Sequence, residues 1–246
     1  MILRSYSNPN NGAKVLPSSD TLNPGLKLTL FSPANVVTDT AMITPRIAFD
    51  NNCFIHSPFI IFLSLYHTFS KLNIDLCIFC SGTYDPKLEK EINKDQIKKT
   101  MDVNFFGVVN CIKSVETYFK KKKTGHISIV SSIAGYRGLP NSSGYGPSKA
   151  ALTNLTESLY FDFKKYNVRI SLISPGFIKT PLTDKNEFRM PFIRSPQFAA
   201  NKIFNGLTKS KSFEITFPKQ LTIIFKFFRI LPYRIYLFLV NKLVKR

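Results

Sequence analysis

The sequence predicts an α/β fold, a parallel sheet with helices on both faces. Three observations carry that expectation. Short apolar runs at residues 74–79, 126–131 and 168–173 have the length and composition of buried strands. Two long segments of helical periodicity, 90–123 and 145–166, alternate with them. Strands joined by helices of that length pair in parallel and are covered on both faces. Ligands of such sheets bind beyond the carboxyl ends of the strands. Chemistry is therefore sought at Ser81 and Gly82, at Ser131 and Ser132, and at Pro175 and Gly176.

Residues 1–52 hold Pro9, Pro17, Pro24, Pro33 and Pro45, five of the 15 prolines, with Asn, Ser and Thr between them. Only residues 26–31 have strand character, and the rest reads as an atypical extended arm. Residues 53–217 form the regular part. The run 74–79 ends in Ser81-Gly82, a strand followed by a turn. In 90–123 an apolar stripe runs through Ile97, Met101, Phe105, Val108, Val109, Ile112 and Val115. Its lysine-rich end suits a helix C-terminus, where cations meet the negative end of the dipole. The strand at 168–173 is stopped by Pro175-Gly176. Residues 218–246 are a basic tail.

Lys and Arg number 34 against 15 acids, a formal net charge of +19. That balance speaks of solubility and anionic partners, and of nothing about fold. Residues 186–246 alone hold 12 basic residues and two acids. From 220 to 246, basic residues mix with Ile, Phe, Leu and Tyr, which suits an amphipathic helix on an anionic membrane surface. A helix packed on the substrate pocket or on a second subunit fits the same residues. No motif supports nucleic-acid binding.

Of the cysteines Cys53, Cys77, Cys80 and Cys111, the pair Cys77 and Cys80 lies inside an apolar run and reads as buried strand. No second Cys or His pair accompanies it, so no metal site is expected. The apolar stretches 54–66 and 221–240 are broken by His, Pro or charges and predict no membrane-spanning helix. Residues 1–12 lack the apolar core of a secretory signal. A cytoplasmic protein is expected, with the tail peripheral to the inner face of a membrane.

The sharpest chemical feature is Tyr145-Gly-Pro-Ser-Lys149. Tyr and Lys four residues apart share one face of a helix. A free tyrosine titrates near pH ~10. A neighbouring ammonium favours the phenolate and lowers that value, so that the phenol can act as general acid or base. Alone the pattern is mostly structural. Ser132, 13 residues upstream at a strand end, and Asn104, within an apolar helical stripe, sharpen it. A buried Asn needs partners, and a serine hydroxyl there can meet a substrate oxygen as charge builds.

These residues stand in five ordered segments: 75–82, 104–107, 131–135, 145–149 and 174–180. From about residue 74 to the C-terminus the chain resembles the short-chain dehydrogenase/reductase family. The resemblance implies a Rossmann-like, doubly wound parallel sheet and an NAD(P) cofactor, with NAD versus NADP undetermined. It implies that Tyr145 passes the proton and that Lys149 lowers its pKa and holds the nicotinamide ribose. Ser132 would orient the substrate oxygen, and Asn104 would support a water-linked proton path to Lys149. Pro175, Gly176 and Ile178 would line the nicotinamide, and Thr180 would contact its amide or the phosphates. Cys80, Ser81 and Gly82 stand where the family has Asn-Asn-Ala-Gly.

One departure is large. The family opens on a strand and a Gly-rich turn that meets the pyrophosphate at a helix N-terminus. Residues 1–52 contain only Gly12 and Gly25, neither in such a setting. An altered reading frame, a truncation or a cofactor-free relative would each account for that, the first two being favoured. Without a first strand and helix, one flank of the sheet is expected to be open. The function implied is NAD(P)-dependent interconversion of an alcohol and a carbonyl. Residues 136–144 and 183–200 would border the substrate. Phe188, Met190, Phe192 and Ile193 suggest an apolar small molecule. The alternative is a non-catalytic, membrane-peripheral or scaffolding relative. The resemblance also implies a homo-oligomer, a dimer or tetramer built on the helices that hold Asn104 and Tyr145.

Overall fold

The computed structural model describes residues 28–31 and 73–244. Five strands lie in the sheet in chain order: β1 (Leu28–Phe31), β2 (Leu76–Phe79), β3 (His126–Val130), β4 (Arg169–Pro175) and β5 (Glu214–Phe217). All four pairings are parallel. In the doubly wound order 3-2-1-4-5-6, the run 1-4-5-6 is also sequential, and its ligand crevice opens where the order reverses. Beside β2, where a missing first strand was expected, β1 pairs Leu28 with Leu76 through to Phe31 with Phe79, and β1 is itself the edge strand of the described sheet. Strand β1 comes from inside the segment read as an arm. Residues 53–66, with the apolar run 54–66, fall outside the described residues.

The predicted strands form because their runs are buried on both sides. Along β2, Cys77 and Phe79 face one core with Ile127, Ile129 and Ile170, while Leu76 and Ile78 face another with Val130 and Ile173. Cys77 is thus a strand residue, and burial pushes its thiol up. The first core is closed by Val108, Ile112, Val115 and Phe119 of α2 (Gly107–Lys122) and by Leu152 and Phe163 of α3 (Tyr145–Lys164). The second is closed by Ala199 and Leu207 of α4 (Pro196–Lys209).

The helix expected over 90–123 starts later and is not uniform. It opens as α1 (Lys94–Met101), where the Asn93 side chain accepts from Gln96 N and caps the first turn. A π turn, Asp102–Phe106, then leads into α2. Such turns insert one extra residue and frequently mark functional sites. This one turns Asn104 fully inward, with 0% exposure. The basic tail expected as a single helix is two, α5 (Lys219–Ile230) and α6 (Tyr233–Val244), because Pro232 cannot continue the first.

His126 begins β3, where its Nε2 lies 2.8 Å from Ser171 Oγ. Burial, helped by the nearby Arg169 charge, pulls its imidazole down to about 3. The unfolded chain therefore binds the proton first, and stability falls as pH drops from the ordinary histidine value of ~6.5 toward 3. Thermal melts at neutral and mildly acidic pH should show a larger loss of Tm for the wild type than for His126→Gln.

Candidate active site

The carboxyl ends of β2 and β3 converge on Lys149. This residue sits in the first turns of α3 and is 3% exposed. Its Nζ donates to Ser81 O at 3.2 Å and to Val130 O at 3.1 Å, so one ammonium joins the ends of two strands. Burial lowers its pKa to about 8. The approach between α3 and the β3 loop is close on the other side as well. A Cβ on Gly135 would lie 2.7 Å from the carbonyl carbon of Lys149, so only glycine fits there. Ser131 Oγ donates to Lys149 O at 2.7 Å and lies 2.9 Å from Thr153 Oγ1.

Ser132 caps the short 3₁₀ turn Ile133–Gly135, its Oγ accepting from Ala134 N at 3.1 Å. Its side chain also hydrogen-bonds that of Tyr145. Tyr145 opens α3, and Lys149 Nζ stands 5.8 Å from its ring centroid. The expected lowering of its pKa by Lys149 is not what this arrangement produces. Burial pushes the phenol up, the Ser132 bond opposes that, and the Glu89 carboxylate adds to the rise.

Asn104 is a clamp. Its Oδ1 accepts from Thr83 N at 2.6 Å, and its Nδ2 donates to Thr83 O and to Ser148 Oγ, each at 3.0 Å. The π turn thereby ties the loop after β2 to α3. Cys80 is buried in the second core, beside Ile78 and Val130. Ser81 Oγ is buried without a hydrogen-bond partner, and a Cβ on Gly82 would lie 3.6 Å from Lys149 Nζ. Beyond β4, Gly176 N donates to Phe217 O at 2.8 Å. Ile178 bridges to Arg194 and is buried in the second core. Thr180 N donates to Thr183 Oγ1 at 2.9 Å. Phe188, Phe192 and Ile193 are exposed, and Phe188 packs edge-on to Phe177.

Two site residues escape a reading of the sequence. Glu89 is buried, and its Oε2 accepts from Gly144 N at 2.9 Å and Tyr145 N at 3.1 Å. It places a carboxylate on the positive end of α3 and sets the angle at which Tyr145 leaves the helix. Nothing local in the sequence connects it with a helix that starts 56 residues later. Tyr84 packs its ring 4.9 Å from that of Tyr145 and donates to Asn141 O. Burial, first, and the charge of Glu89 push its phenol up to about 12. Glu89→Ala should cost about 1 kcal/mol, the usual value of a lost N-terminal cap, because two N–H groups lose their acceptor. Urea denaturation measures it.

A family profile described as short chain dehydrogenase matches residues 67–190, the span that holds Asn104, Ser132, Tyr145 and Lys149. The chain belongs to the short-chain dehydrogenase family. An uncharacterized oxidoreductase of Myxococcus xanthus is 32% identical over 159 residues, which are 65% of this chain and 62% of that protein. A 3-dehydrosphinganine reductase of Danio rerio is 37% identical over 108 residues, 44% of this chain and 32% of that one. The chain thus spans less than two thirds of the length of these relatives. A short chain dehydrogenase of Burkholderia cenocepacia, solved with NADP, superposes with a TM-score of 0.58 at 22% identity, covering 67% of this chain and 70% of that one. The family and the Rossmann-like parallel sheet expected from the five motifs both hold.

Proposed function

We propose that this short-chain dehydrogenase interconverts an alcohol and a carbonyl on an apolar substrate, with NAD(P) as the hydride carrier. The observation that carries the reading is the meeting of Ser132, Tyr145 and Lys149 at the carboxyl ends of β2 and β3. The cofactor, when bound, supplies or accepts the hydride. The Lys149 ammonium, held by Ser81 O and Val130 O, and the unpartnered Ser81 hydroxyl are the groups that would meet the ribose and amide of a nicotinamide. Pro175 ends β4, and Gly176, Ile178 and Thr180 follow it, where they would line the nicotinamide.

In the reducing direction Tyr145 Oη gives its proton to the carbonyl oxygen as charge builds there, and Ser132 Oγ donates a hydrogen bond to the same oxygen. Lys149 offsets the negative charge left on the phenolate. Burial raises the Tyr145 pKa, so its positive neighbour matters most once the proton has left. Asn104 holds the Thr83 loop and Ser148 and so keeps α3 in register with β2; a water chain from its backbone to Lys149 would return the proton. The exposed rings of Phe188 and Phe192 and the side chain of Ile193 favour an apolar substrate, in keeping with the name of the Danio rerio relative.

A titration of the full chain with NADPH and NADH, followed by calorimetry, tests the reading. Weak but saturable binding is expected. The contacts at the nicotinamide end are present, while residues 1–52 carry no Gly-rich turn to bring backbone N–H groups to the pyrophosphate. Binding of neither nucleotide at millimolar concentration would overturn the reading.

A further inference from the structure

The helix pair α5–α6 carries a solvent-facing apolar surface that no part of the proposed chemistry uses. On α5, Leu221 and Thr222 are buried, and Phe225 packs against Ile133, Tyr136 and Leu221. Ile223, Phe227 and Ile230, spaced i, i+4 and i+7, lie on the opposite face and are 65%, 54% and 78% exposed. On α6, Tyr236 turns inward, while Arg234, Phe238 and Lys242 share an outward face at i, i+4 and i+8. No acidic residue occurs from 219 to 246, against seven Lys and Arg. Lys226 and Arg229 spend their charge on Glu214 and Glu157, but Arg234 and Lys242 have no acidic partner among the described residues.

We propose that α5 and α6 dock in the plane of an anionic lipid bilayer, with Ile223, Phe227, Ile230 and Phe238 in the acyl boundary and Arg234 and Lys242 at the headgroups. Each helix has 12 residues, about 18 Å in length. That is too short to cross a hydrocarbon core of ~30 Å, and among the described residues no helix is long and apolar enough to do so. An apolar stripe flanked by cations is the pattern of a helix lying in the interface. A second copy is the poorer occupant. A two-fold contact would set the same patch against itself and bring Arg234 and Lys242 of both copies together, on a chain of charge +19.

The surface is also tied to the site. Arg137, five residues after Ser132, donates to Phe228 O, Arg229 O and Leu231 O at the end of α5. Its guanidinium lies 4.5 Å and 4.3 Å from the ring centroids of Tyr233 and Tyr236. Tyr236 Oη donates to Gly138 O. Leu221 lies so close to Gly176 that a Cβ there would meet its Cδ2 at 2.8 Å. These contacts tie the proposed membrane face to the loops after β3 and β4, which sets the site beside the lipid surface.

Sedimentation of the full chain with vesicles tests the proposal without any turnover, so its failure is separable from that of the proposed chemistry. The chain should pellet several-fold more with phosphatidylcholine–phosphatidylserine vesicles than with phosphatidylcholine alone, and less as salt is raised. Ile223→Ser/Phe227→Ser/Ile230→Ser and, separately, Arg234→Glu/Lys242→Glu should each abolish most of the pelleting while circular dichroism and Tm stay unchanged. Absence of pelleting by the wild type, or equal pelleting of the wild type and both variants, would overturn the proposal. So would a dimer in analytical ultracentrifugation that the triple variant breaks while lipid binding persists.

Discussion

Tyr145→Phe is expected to reduce turnover by ~100- to 10,000-fold, the range usual for loss of a positioned general acid or base. The substitution removes one oxygen. It keeps the ring that packs 4.9 Å from Tyr84 and leaves the backbone N–H that donates to Glu89 in place. Stability should therefore be nearly unchanged, and urea denaturation beside the rate assay separates chemistry from folding. Retention of most of the activity would remove Tyr145 from the proton path.

Lys149→Ala should behave differently, losing both stability and activity. Two buried carbonyls, Ser81 O and Val130 O, would lose a charged donor, and the truncated stem would leave a void. Each unsatisfied buried group costs about 1–3 kcal/mol, so a total loss of about 2–6 kcal/mol is expected. Nucleotide affinity should fall with it, because the same ammonium is assigned to the ribose. Lys149→Met restores the bulk and none of the donors. A recovery of stability by Met with no recovery of binding would separate packing from charge.

The sheet was legible where burial on both faces makes a run continuously apolar, as at 76–79, 126–130 and 169–175. Strand β5, Glu-Ile-Thr-Phe, is four residues long and carries a charge, and such a run says little by itself. The start of α4 was written plainly in Ser195-Pro196, a capping serine followed by proline at the first helical position, and could have been read. Pro232 likewise marks the break between α5 and α6. Residue types in order lead as far as Tyr145 with Lys149 near its ring, and Asn104 reaches the same helix through Ser148. What the order could not convey is how each is held. The π turn that buries Asn104 depends on Thr83 and Ser148, and the carboxylate that caps α3 comes from Glu89, far back in the chain. The pKa of Tyr145 is set first by burial, and burial is a property of the folded chain.

The most direct test of the account is the initial rate of NADPH or NADH consumption by the full chain with a long-chain apolar ketone, measured for the wild type, Ser132→Ala and Tyr145→Phe at one high nucleotide concentration. Measurable consumption by the wild type is expected, with a strongly reduced rate for Ser132→Ala and a rate near background for Tyr145→Phe. Equal rates for the wild type and Tyr145→Phe would contradict it.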